Sequence, residues 1–274
     1  MEMKLQEVIE GFTAYAVQLL GERLKGIIIV GSAARPWEFT PLSDVNIIVF
    51  ATELSSREKL ELSSLYSSRV FPIFLRVEEY NDLLGKGHLL AHAVFKDSRI
   101  IVADDELVKL VSKRPPITNY TLECLFRRSL ACASSAVRCL YLGLRDSTTY
   151  AFRALKNAAI YSKLRHDGQL VFTESNVSEY LEAVKAPVAD VFNRLATHRV
   201  EARPLDLALL DEAIVSVALL LDIQALRWGE VLKKLVEAGS VMLSDVQLLC
   251  EEGMMKWIVD YLNAEGELGR IIVP

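Results

Sequence analysis

The chain has 274 residues, 51% of them apolar and 24% charged, with a net charge of −5. The length suits two domains, the apolar share excludes wholesale disorder, and the negative balance excludes a surface that coats nucleic acid indiscriminately. Apolar runs such as Gly26–Gly31 are far too short to span a bilayer, and MEMKLQEVIE carries acids where a secretion signal needs a basic stretch. The expectation is a soluble, cytoplasmic protein with no membrane segment.

Leu5, Val8, Ile9, Phe12, Ala16, Leu19 and Leu20 recur at helical spacing, predicting an amphipathic first helix. Gly26–Val30 and Val45–Phe50 are β-branched runs that predict buried strands. Ser55 with Glu58 fits a capping box opening a helix to about Tyr66. Arg69–Val77 predicts a third strand, with Pro72 pointing to an edge or an irregular position. Helical turns follow at Glu78–Leu84 and His88–Lys96, then a strand at Arg99–Ala103 and a helix started by Asp104 or Asp105. Lys113-Arg114-Pro115-Pro116 is the linker candidate. Beyond it helices are predicted over Thr118–Leu144, Thr148–Arg165, Ser175–Val184, Pro187–His198, Leu205–Ala238 with a break near Gly229, and Ser244–Asn263. GRIIVP closes the chain as a short strand or a packed tail. The fold class is therefore α+β: a small mixed-sheet domain over residues 1–112, then an all-helical bundle over 117–265.

The chemistry-bearing stretch is GIIIVGSAARPWEFTPLSDVNIIVF, residues 26–50. Gly31 permits close backbone approach to a ligand, and N–H groups at the start of a short helix after it suit phosphate. Asp44 and Asn46 are two apart, which on a strand places both side chains on one face beside that turn. Oxygen ligands so placed would hold magnesium against a nucleoside triphosphate. Either feature alone fits an ordinary turn or cap.

Gly31, Ser32, Arg35, Ser43 and Asp44 match, at the right separation, the Gly-Ser … Ser-Asp-x-Asp pattern. The stretch thereby resembles the DNA polymerase beta-like nucleotidyltransferases, in particular the small minimal type, over about residues 10–112. GKGHLLAHAVFKDSRIIVADDELVKL, residues 85–110, resembles the end of such a domain. The resemblance implies transfer of a nucleoside monophosphate from ATP or another triphosphate to an acceptor hydroxyl. It implies nucleotide binding by Gly31, Ser32, Arg35 and Ser43, magnesium on Asp44 and Asn46, and a catalytic Asp44. Two departures weaken that activity. Asn46 stands where the pattern has its second carboxylate, and Arg69–Val77 has no acid where active members carry a third. Glu38, Glu78 and Glu79 are the substitutes within sequence reach. The alternative is a catalytically inactive fold, a pseudoenzyme that binds a nucleotide or a partner as toxin–antitoxin regulators do.

RALKNAAIYSKLRHDGQLVFTES, residues 153–175, more loosely resembles a helix and turn of the HEPN bundles or substrate-binding helices that accompany such domains. HEPN ribonucleases carry Arg and then His after four to six residues; Arg194–His198 and Arg165-His166 do not have that spacing, so ribonuclease activity is not expected. From Cys124 to His166 there are eight basic residues (Arg127, Arg128, Arg138, Arg145, Arg153, Lys156, Lys163 and Arg165) and one acid, Asp146. Spacing puts Arg127, Arg138 and Arg145 on one helical face and Arg153, Lys156 and Lys163 on the next. Such faces pair with acids of the protein or of a second copy in a homo-oligomer, or meet RNA or a protein partner. His88 and His92, four apart among apolar residues, favour packing or capping over metal. The four cysteines form no CxxC pair and are expected as reduced thiols.

Overall fold

The computed structural model describes residues 5–35, 44–66, 70–144 and 146–274. The chain forms two compact units, divided after Thr121.

In the first unit α1 (Leu5–Leu20) leads into β1 (Leu24–Val30), and a 3-10 turn at Gly31–Ala34 follows directly. Then come β2 (Val45–Ala51), α2 (Ser56–Ser64), β3 (Val70–Leu75), α3 (Val77–Lys86), α4 (Leu89–Asp97), β4 (Ser98–Ala103) and α5 (Asp105–Val111). The sheet order is β3-β2-β1-β4, with β2 and β3 parallel and the other pairs antiparallel. Central strands between two helical layers must be apolar on both faces, which is what the unbroken GIIIV run supplies. Ile27 and Ile29 pack with Val8, Phe12 and Ala16 of α1 and Leu62 of α2. Ile28 and Val30 pack with Tyr80 and Leu84 of α3, Ala91 of α4 and Leu107 of α5. Pro72 lies on the edge strand, as its missing N–H requires.

Caps fix the joints. Ser55 and Glu58 form the expected capping box, and Arg23 bridges to Glu58 at 2.6 Å. The Arg23 guanidinium first, and the Ser55 N–H and hydroxyl second, hold the Glu58 carboxyl down at about 2. β3 stops before the expected Val77 because the Arg76 N–H donates to Glu79 at 2.8 Å and so starts α3. Asp104 caps α5 by accepting from the Leu107 N–H at 2.8 Å.

In the second unit the helices are α6 (Asn119–Tyr141, whose first residues lie before the division), α7 (Ser147–Asp167), α8 (Glu174–Val184), α9 (Ala186–Val200), α10 (Leu207–Leu221) and α11 (Trp228–Glu237). The break expected near Gly229 falls instead at Asp222, which adopts φ +58. Gly229 sits inside the first turn of α11, where its N–H donates to Asp211 at 3.2 Å.

The helix expected over Ser244–Asn263 does not form. Residues 240–273 make a three-stranded antiparallel sheet of β5 (Ser240–Glu251), β6 (Met254–Asn263) and β7 (Leu268–Val273), in that order. The deciding signals are local turns. Glu252 and Gly253, at φ +52 and +75, make a two-residue hairpin whose twist matches paired strands. Gly266, at φ +80, closes the loop to β7, where the Asn263 N–H donates to the Glu267 carbonyl. Val246, Leu248, Met255, Trp257 and Val259 are buried at alternate positions, a period of two rather than 3.6. Trp257 packs 4.9 Å from Trp228, and both indole N–H groups are satisfied, by the Leu226 carbonyl and the Tyr141 hydroxyl. The α+β class holds, with the second unit helical only as far as Glu237.

Candidate functional site

Four strand ends meet at one margin of the first sheet. Val30, the last residue of β1, pairs with Asn46 of β2 on one side and Ser98 of β4 on the other. Asn46 in turn pairs with Phe71 of β3. Gly31 leaves β1 at φ +79, so the chain turns back over this margin in a conformation that favours glycine. A Cβ on Gly31 would lie 3.8 Å from the Asn46 side-chain nitrogen, so the turn and the amide are neighbours. Asp44 directly precedes β2, one strand step before Asn46 and in the same phase. The structure thus brings together Gly31, Ser32, Asp44 and Asn46, all partly exposed. Ser43 and Glu38 lie outside the described residues.

Arg35 is placed differently. Its side chain is 10% exposed and its guanidinium meets Asp97, at the end of α4, at 3.2 Å. The arginine after the turn is therefore held against the helix behind it. Asp97 was missed by sequence reasoning, because nothing local links it to a residue so distant in the chain.

The neighbouring strand settles what surrounds Asn46. In register with it is Phe71, 47% exposed, and the next residue on that face is Ile73. Glu78 and Glu79 follow Leu75, which pairs with Phe50 at the other end of β2, about 13 Å along the strand from Asn46. The Glu79 carboxylate is moreover occupied by the Arg76 N–H and guanidinium. Neither acid reaches the margin where Asn46 sits.

A donor set of one carboxylate and one carboxamide fits a single hydrated magnesium that arrives on a triphosphate, since magnesium keeps most of its waters and needs only one or two protein oxygens. Among the described residues, β2 adds no second carboxylate and β3 no base.

Other sequence candidates have plain roles. The His88 Nδ1 accepts from the Leu90 N–H at 3.0 Å and caps α4. The His92 Nε2 lies 3.2 Å from the Pro116 carbonyl, and burial lowers the His92 pKa. Four of the eight basic residues in the stretch meet acids of the second unit. Arg127 pairs with Glu123, Arg138 with Asp245, Lys156 with Glu174 and Lys163 with Asp167. Helix α6 ends at Tyr141, and Arg145 lies outside the described residues. All four cysteines are free thiols. No helix among the described residues is long and apolar enough to cross a membrane.

No protein-family model matches the chain, and no curated protein matches it in sequence. Among solved structures it is similar to spectinomycin adenyltransferase AAD(9) from Enterococcus faecialis, crystallised with ATP and spectinomycin. That match has a TM-score of 0.55 at 10% identity and covers 78% of this chain and 97% of that one. Two further matches, each with a TM-score of 0.29, are too loose to carry an argument. One is a toxin–antitoxin complex with AMP-PNP, 18% identical over 38% of this chain and 80% of that one. The other is a nucleotidyltransferase-like protein from Exiguobacterium sibiricum, 15% identical over 92% and 98%. The chain has the nucleotidyltransferase fold.

Proposed function

We propose that the first unit binds a nucleoside triphosphate with magnesium at the Gly31-Ser32 turn, and that it transfers the nucleoside monophosphate to an acceptor hydroxyl slowly or not at all. The likeness in fold supports nucleotide chemistry in general, and the adjacency of Gly31 to Asn46 supports this margin as its place. Backbone N–H groups at the start of the 3-10 turn would face the phosphates, while Asp44 and Asn46 would hold the cation. A bound magnesium would supply charge neutralisation on the phosphates. The chain's own contribution to rate falls short at two points: Asn46 brings no unit charge, and Phe71 stands where a base on β3 would touch the acceptor. Charge stabilisation and placement are the main sources of rate in phosphoryl transfer, so both losses bear on turnover.

The Phe71–Asn46 pairing is the observation that favours a binding role, regulatory in the manner of toxin–antitoxin partners, over an efficient enzyme. On this reading the helices of the second unit, HEPN-like or substrate-binding, supply the surface for an acceptor or a protein partner. The test is titration calorimetry of ATP with magnesium beside a labelled-ATP transfer assay against RNA, protein and small hydroxyl acceptors. Binding without transfer, lost in Asp44→Ala, is the expected result. Robust transfer abolished by Asp44→Ala would overturn the reading of the site as degenerate, and absence of binding would remove the function altogether.

A further inference from the structure

A groove of about 810 Å3 runs through the second unit between α6 and β5. Its walls have an informative pattern. Leu122, Phe126, Leu130 and Ser134 line it from α6, a stripe at i, i+4 spacing over three turns. Opposite stand five consecutive residues of β5, Gln247–Glu251. Successive side chains of a strand point to opposite faces, so five in a row can border one groove only along the strand's edge.

That edge is free. β5 is an outer strand, paired with β6 alone. The two-residue turn after Glu251 makes Glu251 and Met254 a hydrogen-bonded pair, and the ladder then alternates. The main-chain N–H and C=O of Val246, Leu248 and Cys250 consequently point away from β6, toward α6. Two contacts confirm this phase. The Ser134 hydroxyl donates to the outward carbonyl of Val246, and on the far side of β6 the N–H of Met255, the partner of Cys250, donates to the Gln224 carbonyl. Ser134 and the Arg138–Asp245 pair fasten α6 to β5 at one end. From there the groove runs to Leu122 and Glu251. Among the described residues nothing pairs with the outward groups of Leu248 and Cys250.

We propose that this groove binds an extended peptide, which adds to the free edge of β5 as a fourth strand under the cover of α6. The main-chain groups of Leu248 and Cys250 would pair with the peptide backbone, and Phe126, Leu130 and Tyr161 would receive its apolar side chains. The edge from Gln247 to Glu251 spans about 13 Å, room for four or five extended residues. The charged lining residues are Glu123 and Glu251 against Arg127, a net −1, with Glu251 also holding Lys256. Glu123 pairs with Arg127 in turn, so the charges at the groove are balanced and it suits an apolar, uncharged segment. The proposal concerns the second unit alone and stands whether or not the first unit binds a nucleotide.

The probe is a library of random nine-residue peptides displayed on phage, selected on the full chain and then synthesised for fluorescence polarisation. Ala131→Trp places a large ring in the groove from an exposed position of α6. Cys250→Pro removes an outward N–H without touching the β5–β6 ladder, the one setting in which an edge strand tolerates proline. Each should weaken a selected apolar peptide by roughly tenfold or more, the worth of a strong main-chain hydrogen bond or of a blocked site. N-methylation scanned along the peptide should weaken binding at alternate residues only, because a strand presents its amides to one neighbour in alternation. This scan uses the wild-type chain, so it decides the matter even if Cys250→Pro fails to fold. No selected peptide, peptides indifferent to both substitutions, or a methylation profile without alternation would each overturn the proposal.

Discussion

Asn46→Asp is the most informative single change, because its effect has opposite signs with and without metal. Without magnesium the new carboxylate faces Asp44 one strand step away, about 7 Å, a repulsion between about 0.6 kcal/mol in bulk water and about 2.4 kcal/mol at a protein-surface dielectric. Asn46 is half-buried, so about 1 kcal/mol is a reasonable middle, a loss of about 4 °C in the melting temperature of a unit of this size. With magnesium and ATP present the sign inverts. A carboxylate about 4 Å from the cation gains between about 1 and 4 kcal/mol per unit of charge, less the cost of partly dehydrating it. The net expectation is about 1.5–2.5 kcal/mol, or roughly ten- to sixtyfold tighter binding of the nucleotide. The assay is thermal unfolding and titration calorimetry of both forms, each with and without magnesium. Transfer should stay slow in the variant, because Phe71 is unchanged. A melting temperature and an affinity that ignore both the substitution and the metal would show that residue 46 does not face a cation, and the site assignment would fall.

Three further outcomes are expected. Gly87 ends α3 at φ +69, and a Cβ there would meet the Pro116 carbonyl at 2.2 Å, so Gly87→Ala should cost about 2 kcal/mol or more in urea unfolding of the full chain. Tyr141→Phe leaves the buried Trp228 N–H without its 3.0 Å acceptor and should cost about 1–3 kcal/mol by the same measurement. The depressed Glu58 carboxyl stabilises the native state above its unfolded pKa, and that contribution disappears as pH falls toward about 2. The stability difference between wild type and Glu58→Gln should therefore be full at pH 7 and shrink from about pH 4.5 downward, and a difference that persists at pH 2 would refute the Arg23–Glu58 account.

Much of the first unit was legible because its signals are short-range. The apolar runs at 26–30 and 45–50, the Ser55–Glu58 box and Pro72 each state their own structure within a few residues. The Gly31–Asn46 juxtaposition was legible too, since strand phase and one turn suffice to predict it. The Arg35–Asp97 pair was not, for it depends on how α4 returns to the turn. Nor was Phe71, whose meaning comes only from its register with Asn46. The error at 244–263 has a different origin. Leu, Met, Lys and Glu supply eight of the twenty residues and suit helices, while the Glu252-Gly253 turn, which overrules them, occupies two residues of the stretch.

The two sheets differ in how far apart their partners lie along the chain, and this bears on the order in which they assemble. The strands of the C-terminal sheet are joined by loops of two and four residues between β5, β6 and β7, so each pair closes almost as soon as it exists. β1 by contrast receives its second partner from residues 98–103, after two strands and three helices have intervened. During synthesis β1 therefore waits with one edge open until β4 emerges. That interval is when a growing chain is most exposed to pairing with a neighbour, and a chaperone acting on this protein would find its target there.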